Sequence, residues 1–523
     1  MTTNRRKLPI GIQDFEKLCT EGFLYVDKTA YVYRLTQNSC PYFLGRPRRF
    51  GKSLLLSTMK AYFLGKKELF EGLALAELDK KEWPVHPVLH LDLNGMNYRQ
   101  LSDLDAILDM HLRKWEKEYG LEKQADRPEI RFINVIEQAY KQTGQRVVVL
   151  IDEYDKPLLA TLDNPEVNEE LRKALKGFYG VLKTADPYLR FAFLTGVTKF
   201  SKVSIFSDLN QLQDISLNES YADICGITET ELKNNFDPEL HELAERRSMS
   251  YAEVLAEVKK RYDGYHFSEG KEDVYNPFSL LNTFAQGRFA DYWFQTGTPT
   301  FLVKMVKRGE MDVRRLEKDI LIDATAIDDY RIDTSDPVPI LYQSGYLSIK
   351  GYDDLTGSFI LGYPNEEVKY GFIRELLPAF SPIFKNRSTE FGIGMFLNDL
   401  LKGEVESFMQ RLQAFFSNIP YELNNKTEKD YQTVFYLLFS LMGERIRVEE
   451  SSAAGRADAI VEMPDAVYVF EFKLDGKGTA EEALQQIEEK GYATPYQVSG
   501  KRLVKIGAAF SIETRTLSRW LVG

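Results

Sequence analysis

Five consecutive apolar residues, Val147-Val148-Val149-Leu150-Ile151, run without interruption into the carboxylates Asp152 and Glu153. A strand with one wet face alternates apolar and polar side chains, so an unbroken run of this kind has both faces covered. That calls for a parallel sheet with helices on either side and places the chain in the α/β class. Two more segments have strand character: Pro41-Tyr42-Phe43-Leu44 upstream and Leu189-Arg190-Phe191-Ala192-Phe193-Leu194 downstream.

The upstream strand leads to Gly51-Lys52-Ser53 and then to Leu54-Leu55-Leu56-Ser57-Thr58-Met59, which reads as the first turns of a helix. Strand, loop, Gly-Lys-Ser and helix is the order of a phosphate-binding P-loop. There backbone N–H groups and the positive helix end cradle phosphates, the lysine reaches the β/γ-phosphates and the hydroxyl ligates Mg²⁺. Lys52 is thus expected on phosphate, projecting from a surface loop, and Ser53 on metal. The loop departs from G-x-x-x-x-G-K-[ST], because Arg46 stands five residues before Gly51 where the first glycine belongs. Gly-Lys-Ser alone recurs by chance; the carboxylate strand supports it. Asp152 is suited to hold Mg²⁺ and Glu153 to polarise the attacking water. Thr195, Thr198 and Ser201, after the third strand, are candidates to sense the γ-phosphate, with helix capping as the competing use. Arg190 reads as a solvated edge residue rather than a finger acting on a neighbouring molecule.

A second constellation lies near the C-terminus. Gly455-Arg456-Ala457-Asp458-Ala459-Ile460-Val461 and Val467-Tyr468-Val469-Phe470-Glu471-Phe472-Lys473 read as strands joined at a Pro464-Asp465 turn, which would bring Asp458 and Glu471 together. Lys473 is two residues on from Glu471 and shares its strand face. Two carboxylates converging on Mg²⁺ beside a lysine that orients water are the parts of a phosphodiester cutter. The isolated spacing is weak, since Glu–Lys pairs are ordinary on exposed sheets.

The segments Gly11-Ile12-Gln13-Asp14-Phe15, Tyr25-Val26-Asp27-Lys28-Thr29, Arg46-Pro47-Arg48-Arg49-Phe50-Gly51-Lys52-Ser53, Asp152-Glu153-Tyr154-Asp155-Lys156-Pro157 and Thr195-Gly196-Val197-Thr198-Lys199-Phe200-Ser201 carry a specific likeness. Together they resemble the AAA-ATPase-like proteins of gut and oral anaerobic bacteria that carry a C-terminal PD-(D/E)XK nuclease domain. The resemblance implies that the arginine-rich loop replaces the glycine loop. Arg48, Arg49, Phe50, Gly51, Lys52, Ser53 and Leu54 would then line ATP, with Asp152 and Thr195. It also implies Asp458 and Glu471 on metal, Lys473 on water, and Glu428, at the head of an apolar helix, as a further metal carboxylate. Gln486, rather than Gln485, would reach that site. ATP and Mg²⁺ are the implied cofactors, and nucleic acid the implied partner, DNA ahead of RNA. The expected fold is a P-loop NTPase domain over 1–210, a helical lid and mixed middle module over 211–375, and a PD-(D/E)XK nuclease-like domain over 376–523.

Composition sets outer limits. With 523 residues, 44% apolar and 28% charged, the chain is ordinary for a globular protein of several domains. Cys19, Cys40 and Cys225 lie far apart, without zinc or disulfide spacing. No apolar run approaches a membrane span of about 18 residues, and the N-terminus leads to no hydrophobic signal segment. A bacterial cytoplasmic location without membrane contact is expected, and homo-oligomerisation is left open. Net charge is −11, yet residues 1–60 hold eleven Lys/Arg against four Asp/Glu. Residues 401–523 hold fifteen against eighteen, net −3, without the positive field that drives nonspecific duplex binding.

Between the sites, Glu229 to Tyr262 is charged and helix-periodic, and Tyr262-Asp263-Gly264-Tyr265-His266-Phe267 reads as a turn packed by aromatics rather than a nucleotide lid. Residues 296–378 read as mixed helices and short strands, of winged-helix type. Two function classes follow: an ATP-gated nuclease, and a nucleotide-dependent regulatory switch whose nuclease-fold domain binds without cutting. A small-molecule kinase lacks an evident acceptor site.

Overall fold

The computed structural model describes residues 6–122, 126–199, 211–270, 272–294, 313, 316, 320–327, 336–380, 389–417, 428–442, 446–452, 455–474, 476–511, 513–514 and 516–523. The chain divides into two compact units, Met1–Gly297 with Leu316–Val368, and Thr298–Arg315 with Lys369–Gly523.

The first unit is built on a parallel five-stranded sheet. Its strands are β1 (Pro41–Gly45), β2 (Val88–Asp92), β3 (Val147–Asp152), β4 (Leu189–Gly196) and β5 (Gln213–Asp214), in the order β2-β3-β4-β1-β5. Every residue of β3 is buried, as its uninterrupted apolar run requires. β4 separates β1 from β3, and the registers align their C-terminal ends: Gly45 pairs with Gly196, Ile151 with Leu194, and Asp92 with Asp152. In an open α/β sheet that edge is where ligands bind. The helix Lys52–Phe63 follows β1, Pro128–Thr143 precedes β3 and Pro165–Thr184 precedes β4. Proline opens both of the latter two, where a missing N–H costs nothing.

Beyond this sheet, Glu229–Arg247 and Tyr251–Tyr262 are helices started by capping boxes, Thr228 with Glu231 and Ser250 with Glu253. They share a core with Pro277–Gln286 through Phe236, Leu240, Tyr262 and Leu280. In the 296–378 region the described residues include β6 (Ile320–Asp323), β7 (Ser348–Asp353) and β8 (Ser358–Gly362), antiparallel in the order β6-β8-β7. Ile340 to Gln343 lie in a helix, Val338–Gln343, that ends in a turn before β7.

The second unit holds helices Thr389–Leu401, Val405–Ser417 and Glu428–Leu441, then a mixed sheet of β9 (Ile446–Ser452), β10 (Gly455–Glu462), β11 (Ala466–Leu474), β12 (Arg502–Ser511) and β13 (Thr516–Val522). Its order is β13-β12-β11-β10-β9, with β11 and β12 parallel and joined across the helix Ala480–Glu489. Period-two alternation gives β11 two different faces. Phe470 and Phe472 meet Phe439 and Phe435, at 5.3 and 4.2 Å between ring centroids. Val467 and Val469 face Ile487 of the Ala480–Glu489 helix, and Glu471 and Lys473 continue that face. A β-carbon at Gly507 of β12 would stand 2.4 Å from Ala480 O and Leu484 N, so only glycine lets this helix lie so close to the sheet.

Candidate functional site

The arginine-rich loop leaves β1 at Gly45. Arg46, in the place of the missing glycine, is fully buried and acts as a strut: its guanidinium donates to Gly45 O (2.9 Å), Ser216 O (2.7 Å), Tyr221 O (3.0 Å) and Ala222 O (3.2 Å). It also lies 4.0 Å over the Phe267 ring, and burial lowers its pKa. Phe50 is buried edge-on against Tyr265 and Phe267. The turn built by Tyr262 to Phe267 therefore packs on the loop itself. Arg49 (φ +68°) and Gly51 (φ +97°) both adopt left-handed backbone, which costs Arg49 about 1 kcal/mol.

Lys52 departs from the expectation of a surface lysine. It is 4% exposed, and Nζ donates to Arg46 O (2.9 Å) and Pro47 O (3.1 Å), closing the loop on itself. A helix that starts at the lysine draws its first side chain back over the preceding loop. Ser53 and Leu54, on the same first turn, are half-buried.

The segments after β3 and β4 are sewn together. Thr195 Oγ1 donates to Asp152 Oδ1 (2.7 Å), Tyr154 N to Thr195 O (3.0 Å) and the Tyr154 hydroxyl to Thr198 O (2.8 Å). Asp155 Oδ2 accepts from Val197 N (3.0 Å), Thr198 N (2.6 Å) and Thr198 Oγ1 (2.7 Å), while its Oδ1 is buried without a hydrogen bond. Burial, reinforced by Glu153, pushes the Asp155 carboxyl up to about 6. Glu153 itself holds a left-handed φ of +54°. A β-carbon at Gly196 would fall 2.5 Å from the Tyr154 ring and 2.6 Å from Asp155 Oδ1. Thr195 and Thr198 thus each bond a carboxylate, of Asp152 and Asp155; Ser201 lies outside the described residues. Arg190 is no solvated edge residue: at the opposite end of β4 it donates to Thr36 O (2.6 Å) and Asn38 O (3.3 Å) and lies 5.8 Å over Phe63.

In the second unit Asp458 Oδ2 accepts from Phe472 N (2.8 Å), which sets it beside Glu471 on the adjacent strand. Glu471 is 4% exposed; Oε1 accepts from Gln486 Nε2 (2.5 Å) and Lys473 Nζ (3.4 Å), and the buried Oε2 takes no hydrogen bond. Gln486 Oε1 in turn accepts from Lys473 Nζ, and its Nε2 also reaches the Tyr492 hydroxyl (3.3 Å). Gln485 instead bonds Glu489 on the exposed side of the helix. Burial first, and the Asp458 charge second, push the Glu471 carboxyl up to about 7. A divalent cation suits this place, because it would give the bare oxygen a partner and offset the repulsion. Among the described residues no group of three His, Cys, Asp or Glu could hold a metal. The helix of Glu428 packs Phe435 and Phe439 on the opposite face of β11, and the Glu428 side chain lies outside the described residues.

Residues 9–206 match the family described as "Predicted AAA-ATPase", and residues 426–520 the PD-(D/E)XK nuclease superfamily. An Azotobacter chroococcum mcd 1 protein described as "Uncharacterized protein in vnfD 5'region" is 38% identical over 529 residues, covering 99% of both chains. The chain belongs to the AAA-ATPase-like family with a C-terminal PD-(D/E)XK nuclease-superfamily domain. The Aeropyrum pernix ORC2 protein aligns with 70% of this AAA-ATPase-like chain and 92% of its own at 12% identity, with a TM-score of 0.22. No helix among the described residues is long and apolar enough to cross a membrane.

Several residues that build the sites of this AAA-ATPase-like protein escape sequence reasoning. Ser216 and Ala222 offer Arg46 only carbonyl oxygens, which any residue could supply, so no side-chain signal exists. Asp155 stands three residues after Asp152, inside the segment Asp152-Glu153-Tyr154-Asp155-Lys156-Pro157, and its buried clasp on Thr198 shows only when β3 and β4 are adjacent. Tyr492 follows Gln486 by six residues and lies past the end of the Ala480–Glu489 helix, so helical spacing does not pair the two and their contact shows only in the fold.

Proposed function

We propose that this protein binds and hydrolyses ATP at the arginine-rich loop and uses that switch to control Mg²⁺-dependent cleavage of nucleic acid, DNA in the first instance, at the C-terminal site. The observation that carries the reading is the convergence of Asp458, Glu471, Lys473 and Gln486, with one Glu471 oxygen buried and bare. Such an oxygen costs about 1–3 kcal/mol or more unless a cation takes it.

At this site Asp458 and Glu471 would hold the ion. Bound there, it would polarise the scissile phosphate and acidify a water. Gln486 fixes the Lys473 ammonium beside Glu471, so the lysine is held to orient the nucleophilic water or a phosphate oxygen. At the nucleotide site Lys52 would exchange the Arg46 and Pro47 carbonyls for phosphate oxygens, with Arg48, Arg49, Phe50, Gly51 and Leu54 around the nucleotide. Ser53 and Asp152 would hold Mg²⁺, Thr195 would fix the Asp152 carboxylate, and Glu153 would direct water.

The acidic balance of residues 401–523, net −3, favours a second reading, in which the nuclease-fold domain binds a partner without cutting. Cleavage of single- and double-stranded DNA and RNA, in Mg²⁺ or Mn²⁺ and with and without ATP, separates the two. ATP-dependent cutting is expected, and complete inactivity with every substrate and nucleotide would leave the switch.

A further inference from the structure

The loop that replaces the glycines has to be held in a shape glycine would adopt freely. Arg49 sits in left-handed backbone with a full side chain, so its conformation needs support from outside the loop. That support comes from a residue 245 positions beyond Arg48. Trp293, fully buried, donates its indole N–H to Arg48 O (3.2 Å), and its ring carries the Arg48 guanidinium at 4.8 Å. The tryptophan is fixed in turn: its amide donates to Glu367 Oε1 (2.6 Å), and its ring meets Phe294 and Tyr346 edge-on, each at 5.2 Å. One rigid indole thus grips both the backbone and the side chain of the residue before the left-handed turn.

We infer that Trp293 is a positioning residue for nucleotide binding, which sets the Arg49–Gly51 turn in its phosphate-receiving shape through the Arg48 carbonyl and guanidinium. This rests on the reading of the arginine loop as the ATP site. Trp293 reaches the turn through Arg48: its indole holds the Arg48 carbonyl and guanidinium. In an ordinary P-loop the glycines accept this shape unaided, whereas here a distant aromatic imposes it.

The test uses the full-length protein and Mg-ATP. Trp293→Phe keeps an aromatic face and loses the N–H donor, so ATP affinity should fall about tenfold, the worth of one buried hydrogen bond. Trp115→Phe, an equally buried tryptophan stacked on Phe132, is the control for general loosening and should bind ATP as the wild type does. Unchanged affinity in folded Trp293→Phe overturns the inference while leaving the ATP site standing. A wild type that binds no ATP removes both. Should Trp293→Phe fail to fold, wild-type protein labelled with 5-fluorotryptophan decides: the chain has four tryptophans, and the Trp293 ¹⁹F resonance should move when Mg-ATP saturates the protein. A stationary resonance at saturation overturns the inference.

Discussion

Thr195 Oγ1 stands 2.7 Å from Asp152 Oδ1 and ties the end of β4 to the end of β3, one strand away from the arginine loop. A hydroxyl aimed at a carboxylate fixes which lone pairs remain for a cation. Thr195→Val keeps the shape and removes the donor. The Mg²⁺ concentration for half-maximal ATP turnover should rise about tenfold, as expected for a lost hydrogen bond to a charged group. Unaltered Mg²⁺ demand would count against the proposed metal role of Asp152 as fixed by Thr195.

Lys52→Ala should abolish measurable ATP binding and also lower the thermal midpoint. The second effect follows from burial, since Nζ satisfies Arg46 O and Pro47 O, and their loss costs about 1–3 kcal/mol. Titration with a fluorescent ATP analogue and a melting curve on the same sample check both. Retained affinity would mean that the phosphates lie elsewhere.

How much of this was legible beforehand depends on the range of the contacts. β3 could be read because Val147 to Ile151 carry their own burial signal, and Asp458 beside Glu471 because a short turn leaves two strands little choice. Gln486 needed the likeness to a known family, since helical spacing alone does not tell Gln485 from Gln486. The burial of Lys52, the four carbonyls around Arg46 and the grip of Trp293 on Arg48 stayed hidden. Each depends on backbone atoms or on partners far along the chain, and neither leaves a periodic trace.

For the C-terminal site, Asp458→Asn and Glu471→Gln should each eliminate DNA cleavage and weaken Mn²⁺ binding in calorimetry. Lys473→Ala should cut cleavage by about 10²-fold or more yet leave Mn²⁺ affinity near the wild-type value. Equal loss of metal binding in all three variants would make the lysine a structural partner of Glu471 instead.

Gly507→Ala tests the support of that site from outside it. The added methyl meets backbone at 2.4 Å, so the Ala480–Glu489 helix must move, at a cost of about 1–3 kcal/mol. Gln486 moves with the helix. Cleavage should fall sharply while ATP binding persists, and a fully active, equally stable variant would contradict the packing described.

Glu367 supplies a pH signature. Burial pushes its carboxyl up to about 8, above its ordinary range. A raised carboxylate favours the folded state while protonated. Its contribution is therefore complete below the unfolded pKa of about 4.5 and is lost as pH climbs through 8, by about 1.4 kcal/mol per pH unit inside that window. Glu367→Gln should match the wild type near pH 5 and become the more stable protein by pH 8 in denaturant titrations; parallel curves at all pH values would exclude the buried charge.

Gly196 is enclosed on both sides. Its carbonyl accepts from Arg46 N (3.1 Å), and the space a β-carbon would need is filled by the Tyr154 ring and Asp155. Neither neighbour can retreat, because Tyr154 is tied to Thr198 and Asp155 to Val197 and Thr198. In a saturation library the site should return its parental codon almost alone, while the exposed tip of the β7–β8 hairpin at Leu355 accepts nearly any replacement. Tolerance to mutation in this protein would then be graded by distance from the seam between β3 and β4.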